Sequence, residues 1–298
     1  MNTPPAAPPA KWSRPLIPQR AAVGDAFAAL CHAALAQIAA NAPGVARGDE
    51  PEYLHQLRVG MRRLLSAVRA FRRLLKRNRA DEVVRPLRHA MRVFGTARDW
   101  DVFCFTLARA KANRDLVARA SRKRAAVARA ARELAGSPAF DKAQRRARRW
   151  LSRDPWRSDA VQGDPLLGYA RRSLERAHRK LRKRARRIDW RDPARRHVVR
   201  IALKRLRYGC DFFAGCFPQA AVGPFLGRLA KLQDTLGELN DISVARTLLQ
   251  QLPAQTSSVQ RWLERREREL TASLAKDWSA LERRRPHWRA QPRRRARR

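Results

Sequence analysis

The chain repeats itself, and the repeat limits what it can become. At an offset of 142 residues (197 − 55), His55-x-x-Arg58-Val59-x-x-Arg62-Arg63-Leu64 falls on His197-x-x-Arg200-Ile201-x-x-Lys204-Arg205-Leu206. In the same register Gly95-x-x-Arg98-Asp99-x-x-Val102 falls on Gly237-x-x-Asn240-Asp241-x-x-Val244, and Phe71 falls on Phe213. Upstream, Phe27 and Ala28 fall on Tyr169 and Ala170. Two separated motifs at one ungapped offset signal duplication. The expected fold is therefore two similar helical bundles related by a pseudo-two-fold axis, each contributing a His-led basic helix.

On a helix advancing about 100° per residue, His55, Arg58, Arg62, Ser66, Arg69, Arg73 and Lys76 share a sector roughly 80° wide. Leu57, Met61, Leu64, Val68, Phe71 and Leu75 lie opposite, giving one stripe to bury and one to present. Like charges stacked a turn apart repel, and a long anion would relieve that repulsion. In the second copy His197, Arg200, Lys204, Arg207 and Tyr208 share a sector, facing away from Val199, Leu203, Leu206, Cys210, Phe213 and Phe217. Asp211 and Gly215 replace Arg69 and Arg73 there, so the first helix is expected to carry more of the anion contact. His89 aligns with Lys231, and each offers one further cation. Asp99 and Asp241 each follow a Gly where a helix is expected to begin, and read as caps for its amide groups.

Lys plus Arg number 67 against 26 Asp plus Glu, a formal net charge of +41. Such a balance implies a polyanionic partner: nucleic acid, polyphosphate or an anionic surface. Gly is scarce at 13, and the dominant Ala, Leu and Arg are good helix formers. With no alternating β-branched run, the fold class is all-α. Cys31, Cys104, Cys210 and Cys216 show no metal-ligand spacing and read as small core residues of a reducing, cytoplasmic setting. No apolar run reaches the ~18 residues of a membrane span, and the N-terminus lacks a secretory apolar segment.

Residues 1–20 read as a disordered Pro-rich leader and 286–298 as a disordered basic tail. Between them a domain over 21–285 divides into a first bundle at about 21–151, a linker at about 152–165 and a second bundle at about 166–285. Helices are expected over about 23–41, from the Asp-Glu-Pro-Glu stretch to near Asn78, and over 81–95, 96–112, 114–135 and 140–151. In the second half they are expected over about 167–187, 193–215, 224–236, 240–251 and 259–284.

At the H-x-x-R-[VI]-x-x-[RK]-R-L motif of both halves, at Leu203-Lys204-Arg205-Leu206-Arg207-Tyr208 and at the paired G-x-x-[RN]-D-x-x-V elements, the chain resembles the CHAD family, the conserved histidine α-helical domain. The resemblance covers roughly residues 20–285. It implies two four-helix bundles around a basic central groove or channel that binds inorganic polyphosphate, without catalysis and in association with polyphosphate granules. The binding residues it implies are His55, Arg58, Arg62, Arg63, His197, Arg200, Lys204, Arg205 and Arg207. The charged stripe adds Arg69 and Arg73, and the alignment adds His89 and Lys231. No E-x-E-x-K signature of the triphosphate tunnel domain carried by some members is present, so a stand-alone module is expected.

Two rival readings remain. The charge suffices for nucleic acid, and the tail predicts weak nonspecific binding of it, but there is no aromatic ladder for stacking bases. An enzyme would require carboxylates for a metal or a phosphate-cradling Gly-rich loop. The first stripe has no acid and the second only Asp211, so no catalytic, metal or cofactor residue is assigned.

Overall fold

The computed structural model describes residues 8–153, 155–158 and 163–289. Among them the protein is all-α, with nine α-helices and no strand: α1 (Val23–Arg47), α2 (Pro51–Phe71), α3 (Arg77–Arg109), α4 (Arg114–Ala135), α5 (Pro138–Ser152), α6 (Leu166–Ala185), α7 (Pro193–Phe212), α8 (Gln219–Leu249) and α9 (Ser257–Glu282). The chain forms two compact units. The first comprises the stretch up to Pro15, Val23–Asp164 and Asn240–Glu267; the second comprises Leu16–Ala22, Pro165–Leu239 and the chain from Arg268. Helices α8 and α9 are thus divided, each giving one segment to either unit.

In the first unit α1 packs along α2 and α3 along α4. The α1 seam of Phe27, Leu30, Ala34 and Ile38 is fully buried. Gly60 lets the two backbones close up, since a Cβ there would lie 3.0 Å from Ile38 and 3.2 Å from the Ala34 carbonyl oxygen. Phe27 anchors an aromatic cluster with Phe71 at 5.2 Å, Trp156 at 5.3 Å and Trp150 at 5.7 Å between ring centroids. Truncating such a ring typically costs ~3–5 kcal/mol. The apolar stripe read from α2 is buried in full, from Leu57 to Leu75. Helix α1 is, by length and composition, long and apolar enough to cross a membrane, contrary to the expectation of no such run. Its apolar side is core of this unit.

Several expected boundaries move. Helix α1 runs on through Ala42-Pro43-Gly44 to Arg47. Helix α2 stops at Phe71, and Arg72–Leu74 form a turn. The breaks expected at Gly95–Thr96 and before Asn240 do not occur, and α3 and α8 run through them. Thr96 hydroxyl donates back to the Arg92 carbonyl at 3.3 Å, and Thr235 to Lys231 at 3.1 Å. These hydroxyls are satisfied inside a helix instead of capping one. Asp99 and Asp241 therefore lie mid-helix and are not caps.

The stretch expected to be a disordered leader is docked over part of its length. The buried Asn41 side chain accepts from the Ala10 amide at 3.1 Å and donates to the Ala10 carbonyl at 2.9 Å, as a paired backbone would. Residues 1–7 lie outside the described residues. So do 290–298 of the expected tail, but its start is ordered. Pro286, His287 and Trp288 are buried, with His287–Arg289 in a 3-10 turn.

In the second unit α6 packs on α7, and that 3-10 turn packs on α6. His287 lies 5.0 Å from Phe217 and 5.5 Å from Phe225, and Trp288 lies 5.5 Å from His178. Glu175 receives Trp288 Nε1 at 3.0 Å and a two-point contact from Arg289 at 2.6 and 2.8 Å. Val199, Leu203, Leu206, Cys210, Phe213 and Phe217 are buried, as the α7 pattern predicts. All four cysteines are free; Cys31, Cys210 and Cys216 are buried and Cys104 half-buried.

Candidate functional site

Pro51 opens α2, where its missing N–H costs nothing, and Glu52 sits in the first turn. The helix then presents its polar side as the pattern dictates. His55, Arg58 and Arg62 follow one another along that side, all half-buried. Arg98 of α3 joins them as a third arginine, lowering the proton affinity of both His55 and Arg58.

Arg58 reaches across to α3, donating from Nη1 to the Met91 carbonyl at 3.3 Å. Gly95 makes room for it: a Cβ there would stand 3.0 Å from the same nitrogen. In this copy the glycine some 40 residues after His55 (95 − 55) thus lies against Arg58, whereas a Cβ at its counterpart Gly237 would meet nothing within 4 Å. Asp99, one turn further along α3, supplies partly compensating charge. Even so, burial first and then Arg62 bring the Arg58 guanidinium down to about 10. His55 is likewise pushed below its ordinary 6.5, first by burial and then by Arg98, with Glu52 opposing. Arg62 Nε is buried with no hydrogen-bond partner among the described residues. Charged donors in this state are expensive to leave unmatched, and an anion would satisfy all of them.

The remaining first-copy residues separate. Arg63 stacks its guanidinium over Trp12 of the leader at 4.1 Å, a cation–π contact. Arg69 is exposed on the last turn of α2. Arg73 lies past the helix end, so it is not on the stripe, and its carbonyl accepts from Arg157 at 3.5 Å. His89 is exposed on α3, with Nδ1 3.3 Å from Arg92 Nη2.

In the second unit Asp192 caps α7 through the Ala194 and Arg195 amides. His197 is exposed, while Arg200, Lys204, Arg205 and Arg207 are half-buried along the helix. The neighbouring Arg196 is buried instead and ties α7 to Thr271 Oγ1 at 3.1 Å. Lys231 is engaged in an ion pair with Asp277 at 2.7 Å, so its charge is already matched. Arg171 on α6 also carries a buried Nε with no hydrogen-bond partner among the described residues.

Arg98 and Arg171 were not among the residues predicted to bind. Arg98 stood in the repeated motif, but it aligns with Asn240, and a match to a neutral residue concealed a cation. Arg171 aligns with Ala29 and left no signal in the repeat.

Residues 29–250 match the CHAD domain. The fold is similar to the crystal structure of the CHAD domain from the plant Ricinus communis, with TM-score 0.72 and 29% identity, covering 95% of this chain and 97% of that one. It is also similar in fold to PptA from Streptomyces chartreusis, with TM-score 0.64 and 16% identity, covering 88% of this chain and 98% of that one. No curated protein sequence matches the chain.

Proposed function

Because the chain belongs to the CHAD domain family, which is associated with polyphosphate binding, we propose that it binds inorganic polyphosphate through the α2 and α7 cations. The binding is non-catalytic and serves to hold the protein at polyphosphate granules in the cytoplasm. The observation that carries this reading is the α2 cluster. There His55 and three arginines crowd together half-buried, and Arg62 Nε points to no partner among the described residues.

Polyphosphate is charged at every link and has no bases. A helix offers cations at a repeat of about 5.4 Å per turn, and arginine forks match phosphate oxygens in pairs. Nothing in the α2 stripe reads a base edge. The principal test is thermal unfolding with long-chain polyphosphate. The ligand should raise the melting temperature of the native chain, and Arg58→Glu with Arg62→Glu should abolish that rise. An equal rise in the double variant would remove α2 from the site. RNA or duplex DNA displacing polyphosphate at equal phosphate concentration and physiological salt would favour the nucleic-acid reading instead. Steady release of phosphate from polyphosphate with added metal, lost in His55→Ala, would overturn the non-catalytic assignment.

A further inference from the structure

The first unit contains a second concentration of positive charge that none of the predicted binding residues enters. The start of α3 and the end of α5 enclose a cleft of about 530 Å³, lined by Lys76, Arg79, Glu82, Val83, Arg146, Arg149, Trp150 and Arg153. Its volume lies within the roughly 300–1,000 Å³ of ordinary small-ligand sites.

The cleft is framed by ordered structure. Lys76 amide donates to the Pro155 carbonyl at 2.9 Å, and Arg157 amide to Leu74 at 2.9 Å. This two-point bridge fixes the chain that follows α5 against the chain that precedes α3. Trp150 and Val83 form an apolar floor, both more than nine-tenths buried.

Among the described lining residues, five cations accompany one acid. Glu82 is matched by Arg146 at 3.0 Å, while Arg79, Arg149 and Arg153 make no ion pair among the described residues. Helix α3 adds to the field. Its first turn has no acidic residue, and its N-cap, Lys76, makes no side-chain cap, so its leading amides and the helix dipole favour an anion there. By contrast α4, α5 and α7 are capped by Asn113, Ser137 and Asp192.

We propose that this cleft binds a short run of linked phosphates, three or so in length, independently of the α2 stripe. The limited volume of the cleft suits a compact group, where the stripe along α2 suits a long chain. The ligand could be free oligophosphate or the end of a polyphosphate chain, since both present the same chemistry.

Titration calorimetry with tripolyphosphate at physiological salt tests this. The native chain should bind one tripolyphosphate that Arg79→Ser with Arg149→Ser and Arg153→Ser loses, or holds at least tenfold more weakly, while helicity by circular dichroism is unchanged. Arg58→Glu with Arg62→Glu should keep that equivalent, so failure of the stripe and failure of the cleft are told apart. Glu82→Gln, which frees Arg146 and removes the only acid among the described lining residues, should tighten the binding several-fold. Unaltered affinity and stoichiometry in the triple serine variant would overturn the proposal, as would weaker binding in Glu82→Gln. Competition by long-chain polyphosphate that follows the number of chain ends would identify the chain terminus as the source, and absence of competition would identify free oligophosphate. Both results retain the cleft as the site.

Discussion

At the scale of single residues, the α2 cluster stores a proton deficit. His55 is held below 6.5 by burial and by Arg98, so the unliganded ring is mostly neutral near neutral pH. A polyanion reverses the sign of the local field and raises the imidazole's proton affinity. Polyphosphate binding should therefore take up protons at mildly acid pH and tighten as pH falls through that window. Calorimetry in two buffers of different ionisation enthalpy measures the uptake, and His55→Gln should reduce it. Equal uptake in that variant would remove His55 from the site. The same residues show what a sequence can and cannot reveal. His55, Arg58 and Arg62 were legible because helical periodicity alone puts them on one side. Arg63 was implied by the family resemblance and not by periodicity, and its contact with Trp12, 51 residues away (63 − 12), leaves no local signal. Lys231 was legible as a cation, but its pairing with Asp277 depends on packing between helices.

At the scale of elements, helix type and order were readable from composition and period, whereas ends and continuity were not. Gly95–Thr96 has the local chemistry of a helix break, yet α3 continues through it, with Gly95 under Arg58 and the Thr96 hydroxyl bonded back one turn. The 3-10 turn His287–Arg289 was hidden for a different reason: a Pro and Arg-rich terminus resembles a disordered tail until Glu175 is found to receive it. This element should be acid-sensitive. Burial holds His178 and His287 at about 4, with Arg289 and Arg182 also opposing His178 and Glu175 favouring its charge. Their folded values lie below the unfolded 6.5, so their contribution to stability is complete above that pH and drains as pH falls towards 4. Glu175, lowered to about 2 by Arg289 and Trp288, loses its contribution next, as pH falls from 4.5 towards 2. Melting temperature measured against pH should therefore decline in that upper window, and His287→Phe, which keeps a ring among Phe217, Phe225 and Trp288, should flatten the decline. Glu175→Ala should cost about 1–2 kcal/mol, largely by orphaning the Trp288 indole N–H, because the exposed Arg289 pair is screened.

At the scale of the whole molecule, the repeat announced two halves, but the first compact unit also takes residues from the second half of the chain. Asn240–Glu267 belongs to it: Arg109 lies over Trp262 at 5.4 Å, Asn113 Nδ2 donates to the Gln255 carbonyl at 3.1 Å, and Leu263 is fully buried. Such membership leaves no mark on an alignment of the halves. Cleavage of the chain at 158–163 should therefore leave two fragments that co-elute on size exclusion in non-denaturing buffer; their separation would show that 240–267 is dispensable to the first unit. The arrangement also has a consequence during synthesis. Helices α1 to α5 leave the ribosome long before their last partners do, since 115 residues (267 − 152) separate the end of α5 from the end of that segment. At the usual pace of translation, about 5–20 residues per second, the first unit waits roughly 6–23 s with part of its apolar surface uncovered. A nascent chain this basic passes that interval beside ribosomal RNA, so early engagement by a chaperone, or by polyphosphate itself, would bear directly on how much of it reaches the folded state.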